Sequence, residues 1–133
     1  MMKQGLRIKF TSAFFGMLLV ATCVLAVQTG LSKRVRFPRG GTTATLKNSV
    51  VRGTVDRYTL GARSGQKMTV SISSVERNAV FTIYTLEGGT LDGASEGQGA
   101  TQWNDELPQS GDYVIEVGGT RGNASYTLKI TVR

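Results

Sequence analysis

Few residues in this sequence could carry out acid–base or nucleophilic chemistry. The 133-residue chain contains no histidine and a single cysteine, Cys23. A serine or cysteine nucleophile is usually activated by an imidazole, so neither a Ser–His nor a Cys–His pair can form within this chain. Ser110 is therefore predicted to be a turn residue that bonds to nearby backbone rather than a nucleophile. We predict that the protein is not an enzyme and that it uses no cofactor.

The carboxylates are the remaining candidates for acid–base or metal chemistry. Asp105 and Glu106 are adjacent, and on a strand they would point to opposite faces, out of reach of one substrate. A calcium ion could instead be held by Asp92, Glu96, Asn104 and Asp105. The spacing of an EF-hand loop is missing, so we predict a solvated acidic loop without a metal and leave the calcium alternative open.

Two side chains are better suited to binding than to catalysis. Arg121 lies in a glycine-flanked loop, Gly118–Asn123. A loop arginine is ordinarily solvated, but it can also enter an acidic cleft and pair with a carboxylate. Trp103 is the single tryptophan, and it could either stack on a sugar or plug the core beneath the Gly-rich loop 87–104.

The net charge of +7 raises the question of a nucleic-acid partner. Most basic residues are dispersed, and the only cluster consists of Lys33, Arg34, Arg36 and Arg39. A nucleic-acid surface would need basic residues interleaved with exposed aromatics, whereas the aromatics here fall mostly at inward positions of the predicted strands. The sequence therefore predicts no binding to nucleic acid.

Residues 1–26 have the features of an export signal. A basic start, with Lys3, Arg7 and Lys9, precedes an uncharged apolar segment that runs from residue 10 to residue 27. The small-residue pattern Val24-Leu25-Ala26 suits cleavage after Ala26. Cleavage would remove three basic residues and lower the net charge from +7 to +4. We predict a periplasmic or secreted mature chain of residues 27–133.

Two alternatives to cleavage stay open. The apolar segment could remain as an anchor, because its length approaches the roughly 20 residues that span a bilayer. Cys23 could instead be lipidated, although Thr22 fits poorly where a small residue normally precedes that cysteine. In either case the membrane would be contacted only through the N-terminal segment.

Alternating apolar and polar residues dominate the rest of the chain. In Lys67–Ser73, Met68, Val70 and Ile72 share one face and the intervening polar residues share the other, as in a half-buried strand. Similar runs occur at Arg34–Phe37, Thr43–Lys47, Thr54–Leu60, Ala79–Thr85, Asp112–Val117 and Tyr126–Arg133, with a further short strand near Trp103. Gly- and Asn-containing turns separate these runs. We predict one all-β domain over residues 27–133, an antiparallel β-sandwich or jelly roll of about seven or eight short strands that begin near residue 33.

The order of several short motifs is recognisable. The motifs are Gly53-Thr54-Val55, Asp56-Arg57-Tyr58, Ser64-Gly65-Gln66, Leu107-Pro108, Ser110-Gly111-Asp112-Tyr113 and Tyr126-Thr127-Leu128. This series resembles the bacterial pre-peptidase C-terminal domains, which are small secreted β-sandwiches appended to exported hydrolases. Val35-Arg36-Phe37, the Ser110–Tyr113 segment and Thr120-Arg121 also look like the related periplasmic inhibitor of g-type lysozyme.

The second resemblance implies a binding surface. Such inhibitors use a Ser-Gly…Tyr segment and loop arginines against the lysozyme cleft, which nominates Ser110, Gly111, Tyr113 and Arg121. The sequence departs from the inhibitors in two places. Their last hairpin loop is longer and holds several basic residues, whereas Gly118–Asn123 holds only Arg121. Their tyrosine-rich segment before the second strand is shortened here, which leaves Tyr58 alone.

The nominated residues are separated by one predicted strand. Ser110 precedes and Arg121 follows Asp112–Val117, so they should lie roughly 20 Å apart, at opposite ends of the sandwich. A tight turn in which Tyr113 anchors the next strand is the simpler interpretation of the Ser110–Tyr113 segment. Two hypotheses follow: an inhibitor that occludes the cleft of a g-type lysozyme through Arg121, or a module that binds cell-envelope glycan or protein, with Trp103 and loop 87–104 as its contact surface.

Overall fold

The alternating segments form eight strands in the computed structural model, which describes residues 30–94 and 100–133. The strands are β1 (Ser32–Arg34), β2 (Thr43–Val50), β3 (Val55–Ala62), β4 (Lys67–Ser74), β5 (Ala79–Thr85), β6 (Gln102–Glu106), β7 (Gly111–Gly119) and β8 (Ala124–Val132). The predicted all-β class and strand number are confirmed. Several strands are longer than predicted, because pairing with a neighbour continues after the apolar alternation ends.

The eight strands make two four-stranded sheets. The first sheet has the order β1-β3-β7-β5 and the second has the order β2-β8-β4-β6. Five of the six neighbouring pairs, among them β3–β7, β4–β8 and β2–β8, are antiparallel. The pair β1–β3 departs from the predicted antiparallel arrangement, because β1 runs parallel to β3 with Ser32 opposite Arg57.

The core lies between the two sheets and takes the inward residue of each alternating pair. The first sheet contributes Tyr58, Leu60, Phe81, Ile83, Tyr113, Ile115 and Val117, and the second contributes Met68, Val70, Leu128 and Ile130, all nearly or fully buried. Burial of each large apolar side chain stabilises the fold by about 1.5–3 kcal/mol. Tyr58, Phe81 and Tyr113 are among these residues, and Trp103 and Tyr126 are buried as well, so the prediction that most aromatics point inward is confirmed.

A polar network crosses this core. The buried carboxylate of Asp56 accepts hydrogen bonds from the Asn48 amide at 2.9 Å, the Tyr126 hydroxyl at 2.7 Å and the Leu31 backbone N–H at 2.9 Å. The Tyr126 hydroxyl is also hydrogen-bonded to that of Tyr58. Burial raises the pKa of both tyrosines above its ordinary value. The network therefore joins the two sheets and holds the segment that leads into β1.

The connections between strands gather at the two ends of the sandwich. Strand pairing places Val50 opposite Ala124, Val55 opposite Gly118 and Ala79 opposite Gly119. The connections 51–54, 75–78 and 120–123 therefore meet at one end, which we call the tip. The connections 35–42, 63–66 and 107–110 lie at the opposite end. β7 runs between the ends, and its nine residues span about 26 Å.

Several sequence predictions fall on residues that the structure does not describe. The export signal with its cleavage position at Ala26, the lipidation alternative at Cys23 and the calcium candidate Glu96 all lie outside the described residues. Within residues 30–94 and 100–133, no helix is long and apolar enough to cross a bilayer.

Candidate functional site

The Ser110–Tyr113 segment lies at the opposite end from the tip, and its side chains hold a turn together. Ser110 Oγ accepts a hydrogen bond from the Ser64 backbone N–H at 2.9 Å. Tyr113 is fully buried, and its hydroxyl donates to the Gln109 carbonyl at 2.6 Å. Tyr113 thus anchors the start of β7, as the simpler interpretation of this segment holds.

The backbone of this segment explains its glycine. Gly111 has a φ of +141°, a conformation that residues with a Cβ rarely adopt. The next residue, Asp112, forms an ion pair with Arg34 through two hydrogen bonds of 3.0 and 3.2 Å. Hydrogen bonding to Arg34 lowers the pKa of the Asp112 carboxyl and raises that of the guanidinium. The polar groups of Ser110, Asp112 and Tyr113 therefore all have hydrogen-bond partners within the protein itself.

Trp103 lies inside the sandwich rather than on its surface. Only 8% of the residue is exposed, and the indole N–H donates to the Asp92 carbonyl at 2.8 Å. Its neighbour across the strand pair is Val70. This placement matches the alternative in which the indole plugs the core beneath the Gly-rich loop.

The described part of that loop shows how the remaining calcium candidates are placed. Asn104 Oδ1 accepts a hydrogen bond from Thr69 Oγ1 at 3.2 Å, and Asp105 Oδ1 accepts one from the Glu106 backbone at 2.7 Å. Among the described residues, no group of three or more His, Cys, Asp or Glu side chains could hold a metal ion.

Arg121 lies at the tip with its side chain exposed and partly oriented. One guanidinium nitrogen, Nη2, donates to the backbone carbonyl of Glu76 at 2.9 Å. A guanidinium has five N–H donors in a planar fork, so donors remain for an incoming carboxylate. The contact connects the β7–β8 loop to the neighbouring β4–β5 turn.

Asn78 holds the loop that carries Arg121. It is 2% exposed, and its side-chain amide donates to the carbonyls of Arg121 and Asn123, each at 3.0 Å. Its own carbonyl accepts from the Thr120 backbone N–H at 2.8 Å. The role of Asn78 was not predicted from the sequence, because an asparagine before an apolar strand looks like any other turn residue.

Two further arginines lie on the connections beside Arg121. Arg52 is in a turn closed by the Thr54 N–H and the Val51 carbonyl at 3.0 Å, and its backbone N–H donates to Asn123 Oδ1 at 2.8 Å. Arg77 follows in the β4–β5 turn with a φ of +51°. Hydrogen bonds from Asn78 and Arg52 to one loop show that all three connections are in contact. Arg52, Arg77 and Arg121 therefore share the tip, although 25 and 44 positions separate them along the chain.

The tip also exposes apolar side chains. Val75, at the apex of the β4–β5 turn, is 98% exposed, and Val51 is 46% exposed. Leu31 lies beside the start of β3 and is 40% exposed, with its carbonyl accepting from the Arg57 N–H at 2.7 Å. Of the four large apolar residues that are exposed within the described ranges, only Leu86 lies elsewhere.

A shallow depression adjoins the tip on the outer face of the second sheet. Its volume is about 530 Å³, and its lining combines the polar residues Lys47, Ser49, Ser73, Ser125 and Thr127 with the exposed Val75. The hydroxyls of Ser49 and Ser125 are hydrogen-bonded at 2.7 Å. The depression contains no aromatic platform except the edge of the largely buried Tyr126.

The fold is similar to that of two solved lysozyme inhibitors. The periplasmic inhibitor of g-type lysozyme from Aeromonas hydrophila superposes with a TM-score of 0.65 at 29% sequence identity, over 80% of this chain and 100% of that chain. A mutant of the corresponding Escherichia coli inhibitor gives a TM-score of 0.64 at 25% identity, over 78% and 99% of the two chains. The resemblance that the motifs suggested is therefore confirmed.

A third solved structure extends the likeness in fold. The pre-peptidase C-terminal domain of a Bacillus anthracis collagenase has a TM-score of 0.58 at 17% identity, over 80% of this chain and 98% of that domain. At this identity the likeness concerns the fold alone. No family model matches the sequence, and a search of curated proteins finds no significant match.

Proposed function

We propose that this protein is a periplasmic or secreted inhibitor of a g-type lysozyme, which acts by occluding the cleft of its target. The observation that carries the proposal is the similarity to two inhibitors of g-type lysozyme over nearly their whole length. The tip supplies a surface compatible with this role, because it presents arginines on short connections of a rigid sandwich.

In this proposal, Arg121 forms an ion pair with the catalytic carboxyl group of the target lysozyme. Its guanidinium is exposed, yet one of its donors is held by the Glu76 carbonyl. This restraint lowers the conformational entropy lost on binding. Glycoside hydrolysis depends on a carboxylic acid that protonates the leaving group. A bound arginine would block that group and lower its pKa, so the acid would lose its proton at the working pH.

The Ser110–Tyr113 segment has a different part in this proposal. It lies about 26 Å from Arg121 along β7, and a standard interface would reach both only by running along the sandwich. Ser110, Gly111 and Tyr113 therefore build the opposite end of the fold, while the target contacts the tip.

Lysis assays with purified g-type lysozyme test the proposal. We expect saturable inhibition by the mature chain, and Arg121→Ala should weaken it by about 30-fold or more, as truncation of a buried charge pair does. Arg121→Lys should retain only part of the inhibition, because lysine keeps the charge but lacks the planar fork of donors of a guanidinium. Arg63→Ala is the matched control, since it removes an exposed arginine at the opposite end. Unchanged lysis at micromolar inhibitor would refute the proposal.

The depression beside the tip favours a second candidate function. Its hydroxyls and Lys47 could hydrogen-bond a cell-envelope glycan, which would make the protein a binding module without inhibitory activity. Titration with soluble cell-wall fragments tests this candidate by chemical-shift changes in Ser73, Ser125 and Thr127. The candidate fails if no fragment shifts these resonances.

The location belongs to the proposal as well. We propose that the chain is exported and cleaved after Ala26, in keeping with the periplasmic inhibitors that it resembles. The intact mass of the protein recovered from periplasm or medium tests this step. A mass that retains residues 1–26 would count against cleavage.

A further inference from the structure

The tip combines positive charge with exposed apolar surface. Its three connections contain Arg52, Arg77 and Arg121 and a single acid, Glu76. Val75 and Val51 project from the same connections, with exposures of 98% and 46%. Val75 therefore buries almost none of its side chain in the fold, and apolar side chains beside arginines are the combination found in segments that bind at a membrane interface.

The chain joins the sandwich at this same end. Leu31 is held by the Asp56 carboxylate through its N–H at 2.9 Å and by the Arg57 N–H through its carbonyl at 2.7 Å. A side chain at Gly30 would collide with the Val55 carbonyl at the start of β3. The path of the chain into the fold is therefore restrained beside the tip.

The sequence preceding this point bears on what faces the tip. Only Gln28 and Thr29 separate Gly30 from Val27, the last residue of the apolar segment. Three Cα–Cα steps span at most about 10 Å. Whenever the apolar segment lies in a bilayer, the tip must therefore lie close to the lipid headgroups.

We propose that the tip is a docking surface for a bilayer that contains anionic phospholipid. Arg52, Arg77 and Arg121 contact headgroup phosphates, and Val75 and Val51 enter the interface between them. This goes beyond the inhibitory function and beyond the sequence prediction, which allowed membrane contact only through the N-terminal segment. The mature chain would keep the surface after cleavage and bind reversibly.

The strength expected of this contact is modest. Each basic residue near an anionic surface contributes about a fivefold gain in partitioning, which fades with added salt over the Debye length. A single weak signal gives reversible membrane binding, and stable attachment takes two. The retained segment would supply the second signal. Docking also covers Arg121, so a docked molecule cannot present it to a lysozyme.

Vesicle co-sedimentation of the mature chain, residues 27–133, tests the proposal, because that chain contains every strand that the structure describes. We expect binding to vesicles of phosphatidylcholine with phosphatidylglycerol, and much weaker binding to phosphatidylcholine alone. Arg52→Ala/Arg77→Ala should lower binding about 30-fold. Val75→Thr, which keeps shape and charge, should lower it about fivefold.

The control is Arg39→Ala/Arg63→Ala, which removes the same charge from exposed positions at the opposite end. Its binding should stay close to that of the unaltered chain, and circular dichroism should show that all variants are folded. Equal losses in both double variants, or no binding to anionic vesicles, would overturn the proposal. If the tip arginines are needed for lysozyme inhibition but no vesicle binds, the tip belongs to a protein partner alone. Vesicle binding without inhibition would instead support docking and refute the inhibitory function.

Discussion

The hydroxyl of Tyr126 donates a 2.7 Å hydrogen bond to the buried carboxylate of Asp56. The two residues belong to different sheets, since Asp56 is in β3 and Tyr126 is in β8. The same carboxylate holds the Leu31 backbone. One buried acid therefore links sheet-to-sheet packing to the path of the chain at the tip.

Tyr126→Phe should destabilise the protein by about 1–3 kcal/mol, because it leaves a buried carboxylate short of one hydrogen bond. Urea unfolding followed by circular dichroism measures the change. Tyr113→Phe is the matched control, since its hydroxyl bonds only to the Gln109 backbone, and it should cost about 1 kcal/mol. A smaller loss in Tyr126→Phe than in Tyr113→Phe would contradict this view of the network.

Alkaline pH should weaken the fold through Tyr58 and Tyr126. Burial raises the pKa of both in the folded state, so folding favours the neutral phenols. Their contribution is complete below the unfolded pKa of about 10 and declines as pH rises through the raised folded pKa. The melting temperature, measured from pH 8 upward, should begin to fall at about pH 10. Its fall with pH should be shallower in Tyr126→Phe. Identical slopes would argue against the assignment.

Acid pH should act on the Arg34–Asp112 pair. The pKa of the Asp112 carboxyl is lowered by its hydrogen bond to Arg34, so the pair's contribution is present above about pH 4 and is lost as pH falls through the lowered value. The melting-temperature difference between the unaltered chain and Arg34→Ala should therefore shrink in acid. Arg63→Ala controls for net charge at the same end. The effect should be small, because both side chains are exposed.

Asn78→Ala should loosen the loop that carries Arg121. The change removes an amide that binds the Arg121 and Asn123 carbonyls, at a cost of about 1–3 kcal/mol. Amide exchange in residues 120–123 should accelerate, and inhibition should weaken although Arg121 is retained. Asn104→Ala is a control at an exposed asparagine. Unchanged exchange would show that Asn78 does not position the loop.

Trp103 should report a buried indole. With 8% exposure and its N–H bonded to Asp92, it should emit at shorter wavelength than in the unfolded chain and resist quenching by iodide. Because Trp103 is the only tryptophan, all of the tryptophan fluorescence comes from this residue. If iodide quenches the folded protein as efficiently as the urea-unfolded chain, the indole is at the surface, and Trp103 would again be a candidate for stacking on a glycan.

Local pattern accounts for most of the fold. Alternation in Lys67–Ser73 predicts the inward set Met68, Val70 and Ile72, and the structure buries all three, because side-chain direction in a strand has a period of two. The parallel pairing of β1 with β3 was not predictable in this way. It depends on which distant strand offers a free edge, and alternation carries no information about partners.

Some properties of this protein follow from the sequence itself, and others depend on the tertiary structure. The absence of histidine and the alternating strands are properties of the sequence itself, and they determine a β domain without imidazole chemistry. Tertiary structure alone decided that Trp103 plugs the core rather than lying on the surface and that Arg52 and Arg77 join Arg121 at one end. The reason is physical: a residue's neighbours along the chain set its strand face, but sheet pairing between residues dozens of positions apart sets which turns meet.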